Sequence, residues 1–255
     1  MRKLTLCCLS MISMVIVLPL THADTNFGRK ICHSSGYTCL HVRDGQTWSS
    51  LFPDPHDRSI VMRVNRMNIR LWGGQVLAVP NNLSHADIMD FAPFPSQIQS
   101  RGEKIVAVDP SLNAWGAYTS DGKLLRWGPV STGRDWCNDI DEACRTHTGV
   151  FRVFSLGSSD CYSTKFPLPD GGAPMPYCMY FNNGQALHGE PNGLPGYNDS
   201  HGCVRMYVSD AEWLRYSFIE GPNDSNHFKG TRVIVGKYAT PEQDDGDNND
   251  GNDNG

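Results

Sequence analysis

Residues 200–206 read Ser-His-Gly-Cys-Val-Arg-Met and follow His188-Gly189-Glu190 across a loop rich in glycine, proline and asparagine. Cys203 therefore has one histidine two residues before it and another fifteen residues before it. A thiol is a weak nucleophile until it loses its proton, and a neighbouring imidazole can remove that proton. Gly202 lets the backbone turn tightly beside a substrate, where N–H groups around Cys203 can stabilise an oxyanion. The stretch predicts a cysteine nucleophile assisted by histidine.

The other cysteines can be paired so that Cys203 stays alone. Cys7 and Cys8 lie in an apolar N-terminal segment, and seven cysteines follow it. Six cysteines allow many connectivities, so the sequence cannot prove one of them. An unpaired thiol in an exported protein indicates that its chemistry is needed. Nearest-neighbour pairing gives three short loops, Cys32–Cys39, Cys137–Cys144 and Cys161–Cys178.

The segment His-Gly, a loop, and Ser-His-Gly-Cys-Val-Arg resembles the signature of YkuD-type L,D-transpeptidases, bacterial enzymes that remodel peptidoglycan. The likeness covers roughly residues 104–236 and implies a β-sandwich catalytic domain. It implies that Cys203 is the nucleophile, that His188 is its general base and that the Gly189 carbonyl orients the imidazole. His201 is expected to shape the pocket and to share the proton. The expected substrate-binding residues are Ser200, Gly202, Arg205 and Tyr180, with Arg205 facing a substrate carboxylate.

The same resemblance implies a reaction in two steps. The Cys203 thiolate attacks a stem tetrapeptide of peptidoglycan, D-alanine leaves, and a thioester forms. An amine then takes the acyl group, which gives a cross-link, attachment of a protein such as an outer-membrane protein, or D-amino-acid exchange; water as acceptor gives an L,D-carboxypeptidase. No metal and no cofactor is expected, and carbapenems are expected to acylate Cys203. The inserted loops Trp136–Cys144 and Cys161–Cys178 depart from the family pattern and are expected to form part of a lid.

The residues after position 103 predict a mainly β catalytic domain, 104–238, with one or two helices. Asp121-Gly122 and Asn183-Gly184 are typical of tight hairpin turns. Ser209-Asp210-Ala211-Glu212 predicts a capping box at the start of the clearest helix. The predicted strands lie at 104–109, 115–119, 124–130, 150–154, 177–181, 185–188 and 232–235.

Residues 38–82 predict a separate module with the order β-α-α-β. Gly45-Gln46-Thr47-Trp48 indicates the start of its first helix, and Asp57 is expected to cap a second helix that runs to Met67. This order, with its Gly-Gln-Thr opening and a closing Gly-Gln-x-Leu-x-Val-Pro, resembles the LysM glycan-binding module, so glycan strands are expected partners. Residues 83–103, with two prolines among polar residues, predict a linker.

The two ends of the chain predict export. Arg2 and Lys3 precede an apolar run, and Thr21-His22-Ala23 is typical of a cleavage site, which indicates a signal peptide over 1–23. The apolar run is shorter than a membrane span needs. The acidic segment 239–255 is predicted to be disordered, because it holds almost no apolar residue to bury. The protein is therefore expected in the periplasm or outside the cell.

The charge balance argues against one class of function, and two alternatives to a cysteine acyltransferase stay open. Between residues 24 and 240 the chain holds 20 bases and 21 acids, so it has no general attraction for nucleic acid. A zinc hydrolase with His188, His201 and Cys203 as ligands stays open, since three ligands plus water suit a catalytic zinc. A non-catalytic peptidoglycan-binding protein, acting through the LysM-like module, also stays open.

Overall fold

The computed structural model describes residues 26–239. The predicted signal peptide, and all but the first residue of the predicted acidic tail, lie outside the described residues.

The helices are α1 (Phe27–Ile31), α2 (Trp48–Leu51), α3 (Pro55–Val64) and α4 (Val208–Trp213), with a π-helical turn at Leu214–Phe218 and 3₁₀ turns at Leu83–His85, Ile88–Phe91 and Asp224–Asn226. The strands are β1 (Tyr37–His41), β2 (Val76–Pro80), β3 (Ile105–Asp109), β4 (Ala114–Tyr118), β5 (Leu124–Ser131), β6 (Gly149–Arg152), β7 (Ser155–Leu156), β8 (Met179–Asn182), β9 (Gln185–Gly189), β10 (Val204–Met206) and β11 (Arg232–Val235). Within residues 26–239 no helix is long and apolar enough to cross a membrane.

The N-terminal part is built on the antiparallel pair β1 and β2, which places Tyr37 opposite Pro80. Because α2 and α3 lie between these strands in the chain, the predicted order β-α-α-β is observed. Trp48, Val61 and Leu77 are buried together in its core. Three different elements supply these side chains, so their burial is what holds the short strands and helices to one another.

The two helices of this part begin with side-chain caps. The Thr47 hydroxyl accepts the Ser50 backbone N–H at 3.1 Å, as expected of the residue that starts α2. The prediction for α3 was wrong at both ends. Asp54 is the cap, followed by Pro55 in the position where proline fits a helix, and Asp57 lies inside the first turn. The helix ends at Val64 because Arg66 adopts a left-handed φ of 57°.

The mainly β architecture is confirmed and consists of one nine-stranded sheet in the order β6-β11-β3-β4-β5-β10-β9-β8-β7. The sheet curls until its two ends approach each other, since the ring of Phe151 on β6 lies 5.5 Å from the ring of Phe181 on β8. Between the two halves lies a core that includes Trp115, Leu187 and Val204. The expected sandwich is thus a single sheet folded over on itself.

The predicted hairpins are present. Asn183 and Gly184, between β8 and β9, have φ values of 37° and 86°, so both central residues are in the conformation that a two-residue turn of this kind requires. This turn lies beside the catalytic candidate, because the Gly184 carbonyl is 3.8 Å from Cys203 Sγ. The tight turn therefore brings the start of β9 close to Cys203.

The predicted capping box of α4 was wrong. The helix begins at Val208, and its N-cap, Tyr207, makes no side-chain capping bond. The Tyr207 hydroxyl donates instead to the Met67 carbonyl at 3.1 Å. Asp210, which the sequence pattern placed on the first turn, is fully buried and bonds two arginines, so tertiary contacts override the local capping pattern.

The segment predicted as a linker, 83–103, packs along the sheet. Trp127 Nε1 donates to the Ile88 carbonyl at 2.8 Å, and the Tyr118 hydroxyl donates to the Pro95 carbonyl at 2.8 Å. Asn68 on the N-terminal side also bonds the backbone of Leu194, through Oδ1 at 2.7 Å and through its N–H at 3.0 Å. These contacts hold the N-terminal part against the sheet that carries the candidate site.

Candidate active site

Cys203 is the free cysteine among the described residues. The other six form the disulfides expected from nearest-neighbour pairing, Cys32–Cys39, Cys137–Cys144 and Cys161–Cys178. Cys203 lies directly before β10 and is partly exposed. The residue lines a pocket while its thiol is largely buried, and no partner cysteine among the described residues competes for it.

The parallel pairing of β9 and β10 places the site residues on one face of the sheet. Arg205 is opposite His188, and Val204 is opposite Leu187. Since side chains alternate along a strand, Cys203 and Arg205 share a face with His188, while Val204 and Leu187 point into the core. Cys203 and His188 are therefore diagonal neighbours on that face, and both line one pocket.

His188 is held in one tautomer. Its ring is buried, and Nδ1 lies 2.8 Å from the carbonyl oxygen of Gly189. A carbonyl only accepts, so Nδ1 carries the hydrogen and Nε2 keeps a free lone pair. Burial lowers the pKa of His188 to about 4, the Gly189 hydrogen bond opposes this, and the Arg205 charge adds to it. At neutral pH the imidazole is uncharged and able to accept a proton at Nε2.

The Cys203 thiol also rests uncharged. Burial raises its pKa, and this outweighs the lowering effects of a hydrogen bond from the Ala186 backbone and of the Arg205 charge. The site therefore holds a neutral thiol and a neutral imidazole rather than a thiolate–imidazolium pair. Proton removal then has to accompany attack on the substrate.

Ser200 and Gly202 shape the turn before the nucleophile. Gly202 has φ 115°, and a Cβ there would lie 2.9 Å from Gln185 Nε2, so glycine is required. The buried Ser200 hydroxyl donates to the Cys203 carbonyl at 2.5 Å and accepts the Gly202 N–H at 3.0 Å. The Gly202 N–H is thereby occupied and is not an open oxyanion donor in this conformation. Thr146, which the sequence did not indicate, donates to the Gly202 carbonyl at 2.9 Å.

His201 is bonded to Asp139. Its Nε2 lies 2.7 and 2.9 Å from the two carboxylate oxygens, and its ring stacks on Phe166 with the centroids 4.2 Å apart. The His201 hydrogen bond is the largest cause that holds the pKa of Asp139 below its ordinary value. His201 lines the same pocket as Cys203, as expected, but its Nε2 is engaged away from the thiol.

The two disulfide-closed loops form walls of this pocket, which has a volume of about 430 Å³. The Cys137–Cys144 loop lines the pocket with Ile140 and Glu142, and the Cys161–Cys178 loop lines it with Phe166. His201 is contacted by Phe166 and by Asp139, which belongs to the first loop but not to the pocket lining, and neither residue was predicted from the sequence. The only available signal was that each lies inside a loop closed by cysteines.

Arg205 and Tyr180 also line the pocket. Arg205 Nε lies 3.4 Å from the Glu190 carboxylate, and a guanidinium nitrogen lies 4.0 Å from Asp199. Tyr180 packs beside Phe154, and its pKa is raised by burial and then by the nearby Cys203. Arg205 therefore has acidic neighbours of its own, and Tyr180 lies close enough to Cys203 to sense its charge.

The predicted zinc set does not assemble. In the described part of the chain, the groups of three metal-type ligands are Cys32, His33 and Cys39, and Cys137, Asp139 and His201. His188, His201 and Cys203 do not converge as one such group. The cysteines of the two observed groups are held in disulfides, which do not bind a metal as thiolates do.

Comparison with known proteins assigns residues 103–235 to a family. Residues 103–235, just over half of the 255 residues, match YkuD, the L,D-transpeptidase catalytic domain. Among solved structures, an L,D-transpeptidase from Xylanimonas cellulosilytica is 24% identical with a TM-score of 0.47, and the match covers 65% of this chain and 73% of that one. One from Stackebrandtia nassauensis is 24% identical with a TM-score of 0.44 and covers 58% and 62%. A search of curated proteins found no match.

Proposed function

The chain belongs to the YkuD family of L,D-transpeptidases, and from this we propose that it is an exported acyltransferase that uses Cys203 to remodel peptidoglycan stem peptides. The observation that supports the assignment is the one described free thiol, on the wall of a pocket shared with a buried histidine of fixed tautomer. Three disulfides in the described residues fit an oxidising compartment, which supports export.

In the first half-reaction the donor is a stem tetrapeptide. The Cys203 sulfur attacks the amide carbonyl before the terminal D-alanine while His188 Nε2 takes the thiol proton. The C–N bond breaks, the proton passes from His188 to the departing amine, and D-alanine leaves. The acyl group remains on Cys203 as a thioester. Gly189 keeps His188 in the tautomer that this transfer needs, and Ser200 holds the backbone of Cys203.

In the second half-reaction an amine attacks the thioester. His188 Nε2 accepts the proton from the attacking nitrogen and returns it to the sulfur as the C–S bond breaks. A peptidoglycan amine gives a cross-link, a protein lysine gives anchoring, and a free D-amino acid gives exchange. Water in place of the amine gives L,D-carboxypeptidase activity. None of these steps requires a metal or a cofactor.

The N-terminal part, 38–82, is proposed to act as a LysM-like module that binds glycan strands. Its support is the β-α-α-β order and the paired strands β1 and β2. It packs against the catalytic sheet, so a bound strand would present its stem peptides near the pocket. The domains proposed are therefore 38–82 for binding and 104–238 for catalysis.

The test is to incubate the protein, without its signal peptide, with a disaccharide tetrapeptide, with and without an added amine. Wild type should release D-alanine and form the amine adduct, whereas Cys203→Ser should do neither because oxygen is a poorer nucleophile here. A carbapenem should raise the intact mass of wild type by one drug equivalent and leave Cys203→Ser unchanged. D-alanine release by Cys203→Ser at the wild-type rate, or a reduced wild type that never acylates, would refute the proposal.

A further inference from the structure

A second cavity adjoins the catalytic pocket at Glu190. The catalytic pocket, about 430 Å³, and a cleft of about 380 Å³ both have Glu190 in their walls. The cleft lies between the N-terminal part and the catalytic domain, because α3 forms one side and Tyr207–Ser209 the other. Since the acylated donor occupies Cys203, the second substrate needs its own approach, and this cleft is a cavity that shares a wall residue, Glu190, with the catalytic pocket.

Glu190 is aligned with the general base. Its backbone N–H donates to the Met206 carbonyl at 2.8 Å, so the pairing between the two strands continues past the end of β9. Two residues after His188 in an extended chain, Glu190 shares the face that carries His188. Alternate residues on a strand are about 6.6 Å apart, so Glu190 and His188 are neighbours on this face, and both line the catalytic pocket.

The Glu190 carboxylate accepts the Asn192 backbone N–H at 3.0 Å, but its pairing with a cation is loose. Its side chain is 12% exposed, and its basic partner, Arg205, lies at 3.4 Å, longer than the 2.7–2.9 Å that is usual for a charge-assisted bond. The same arginine is shared with Asp199. A nearly buried carboxylate in this state favours a cation as an additional partner.

The cleft wall also holds a cation without an acidic partner. Arg63 is bound in two places by Asp210, but Arg58 takes part in none of the ion pairs between described residues. Its Nη1 donates to the carbonyls of Phe52 and Pro53 at 2.9 and 3.2 Å, which fixes the guanidinium while its charge stays uncompensated. A carboxylate is the natural partner of such a group.

We infer that this cleft is the acceptor site, in which Glu190 binds the ammonium group and Arg58 the carboxylate of an amino-acid acceptor. The inference rests on the proposed function and assigns residues to its second half-reaction. The bound ammonium gives one proton to solvent, the amine attacks the thioester, His188 takes a second proton, and the C–S bond breaks as that proton passes to Cys203. The N-terminal part thereby contributes Arg58 to the active site.

The experiment measures how the acyl-enzyme divides between amine transfer and hydrolysis. With the tetrapeptide donor and D-methionine as acceptor, Glu190→Gln should lower the ratio of transfer to hydrolysis about tenfold, because one charge-assisted bond is lost, and the ratio is independent of any change in the rate of acylation. Glu103→Gln is the control, since Glu103 also pairs with an arginine, Arg152, but lies in another cavity. Its ratio should equal that of wild type.

Arg58 is tested by the chemistry of the acceptor. Arg58→Gln should raise the KM for D-methionine about tenfold and leave the KM for D-methioninamide, which has no carboxylate, unchanged. Arg70→Gln, which changes an exposed arginine of the same part of the chain, should change neither KM.

If Glu190→Gln lowers acylation as well, Glu190→Asp tests whether the carboxylate is responsible for the change in transfer. A retained carboxylate should restore part of the ratio of transfer to hydrolysis.

The outcomes separate the two proposals. An unchanged ratio in Glu190→Gln, with normal D-alanine release, overturns the acceptor site and leaves the proposed function standing, as does a Glu190→Asp ratio no better than that of Glu190→Gln. Equal effects of Arg58→Gln on D-methionine and its amide overturn the role of Arg58. A wild type that releases no D-alanine overturns the proposed function, and the acceptor site with it.

Discussion

At the scale of single residues, burial decides how Cys203 and His188 react. Burial is the largest influence on both groups, and it raises the pKa of the thiol and lowers that of the imidazole. Both changes favour the uncharged forms, so the pair does not ionise at rest. The proton moves only when a bound carbonyl can take up the developing negative charge. A site of this kind spends little time as a reactive thiolate.

The pKa of His188 predicts the pH dependence of acylation. As the proposed general base, His188 must be neutral, so activity is expected above the folded-state pKa of about 4 and is expected to be lost as the pH falls through that value, well below the ordinary histidine value of 6.5. We expect the acidic limb of kcat/KM for D-alanine release near pH 4, measured from about pH 3.5 to 8. A limb near 6.5 would show that the imidazole is not shielded as described.

Protonation of His188 also affects the free energy of unfolding between pH 6.5 and about pH 4. The unfolded chain binds a proton below pH 6.5 that folded His188 excludes until about pH 4, so wild-type stability should fall over this interval by up to about 3 kcal/mol. His188→Asn should lack this part of the loss. Urea unfolding of both proteins at neutral pH and near pH 4 provides the comparison, and it supplies a control for the activity profile.

At the scale of elements, the Cys137–Cys144 disulfide is predicted to support activity as well as stability. It closes the loop that carries Asp139, which bonds His201. Cys137→Ser/Cys144→Ser should lower the free energy of unfolding by about 2–3 kcal/mol, and it should lower kcat/KM about tenfold as Asp139 is released.

Cys32→Ser/Cys39→Ser is the matched control. That disulfide spans the same sequence separation of 7 and lies in the N-terminal part. It should cost similar stability while kcat/KM stays within about twofold of wild type. If the two double variants lowered kcat/KM equally, the loop would have no special connection with the site.

The elements that the sequence predicted are those in which local pattern and tertiary packing agree. Asn183-Gly184 was predicted as a hairpin turn and is one, because a two-residue turn needs positive φ at both positions. The capping box at Ser209 failed because Asp210 pairs with arginines far away in the sequence. Asp139 and Phe166 were missed for a similar reason, since loop conformation and not spacing brings them to His201.

At the scale of the whole molecule, Asp210 joins the two parts of the chain. Its buried carboxylate bonds Arg63 of α3 at 2.7 and 2.8 Å and Arg126 of β5 at 2.8 Å. Asp210→Asn should lower the free energy of unfolding by about 3 kcal/mol, because two arginines then lose their shared anion and Arg63 is nearly buried. The measurement is urea unfolding of wild type and variant.

A half-exposed pair supplies the comparison for that prediction. Glu103 and Arg152 form an ion pair at 2.9 Å in which both side chains are 38% exposed, and Glu103→Gln should cost less than about 1 kcal/mol. If Asp210→Asn and Glu103→Gln lowered the free energy of unfolding equally, burial of the charges around Asp210 would add nothing to the stability of the protein.

The neutral resting state of Cys203 also affects its survival outside catalysis. Peroxides and small disulfides attack thiolates far faster than thiols, and the first product, a sulfenic acid, disables the nucleophile. Because burial keeps the sulfur protonated, little thiolate is present for oxidants to attack. The thiolate still forms when the carbonyl of a bound substrate lies beside the sulfur. The burial that slows the resting sulfur thus also protects it from oxidation.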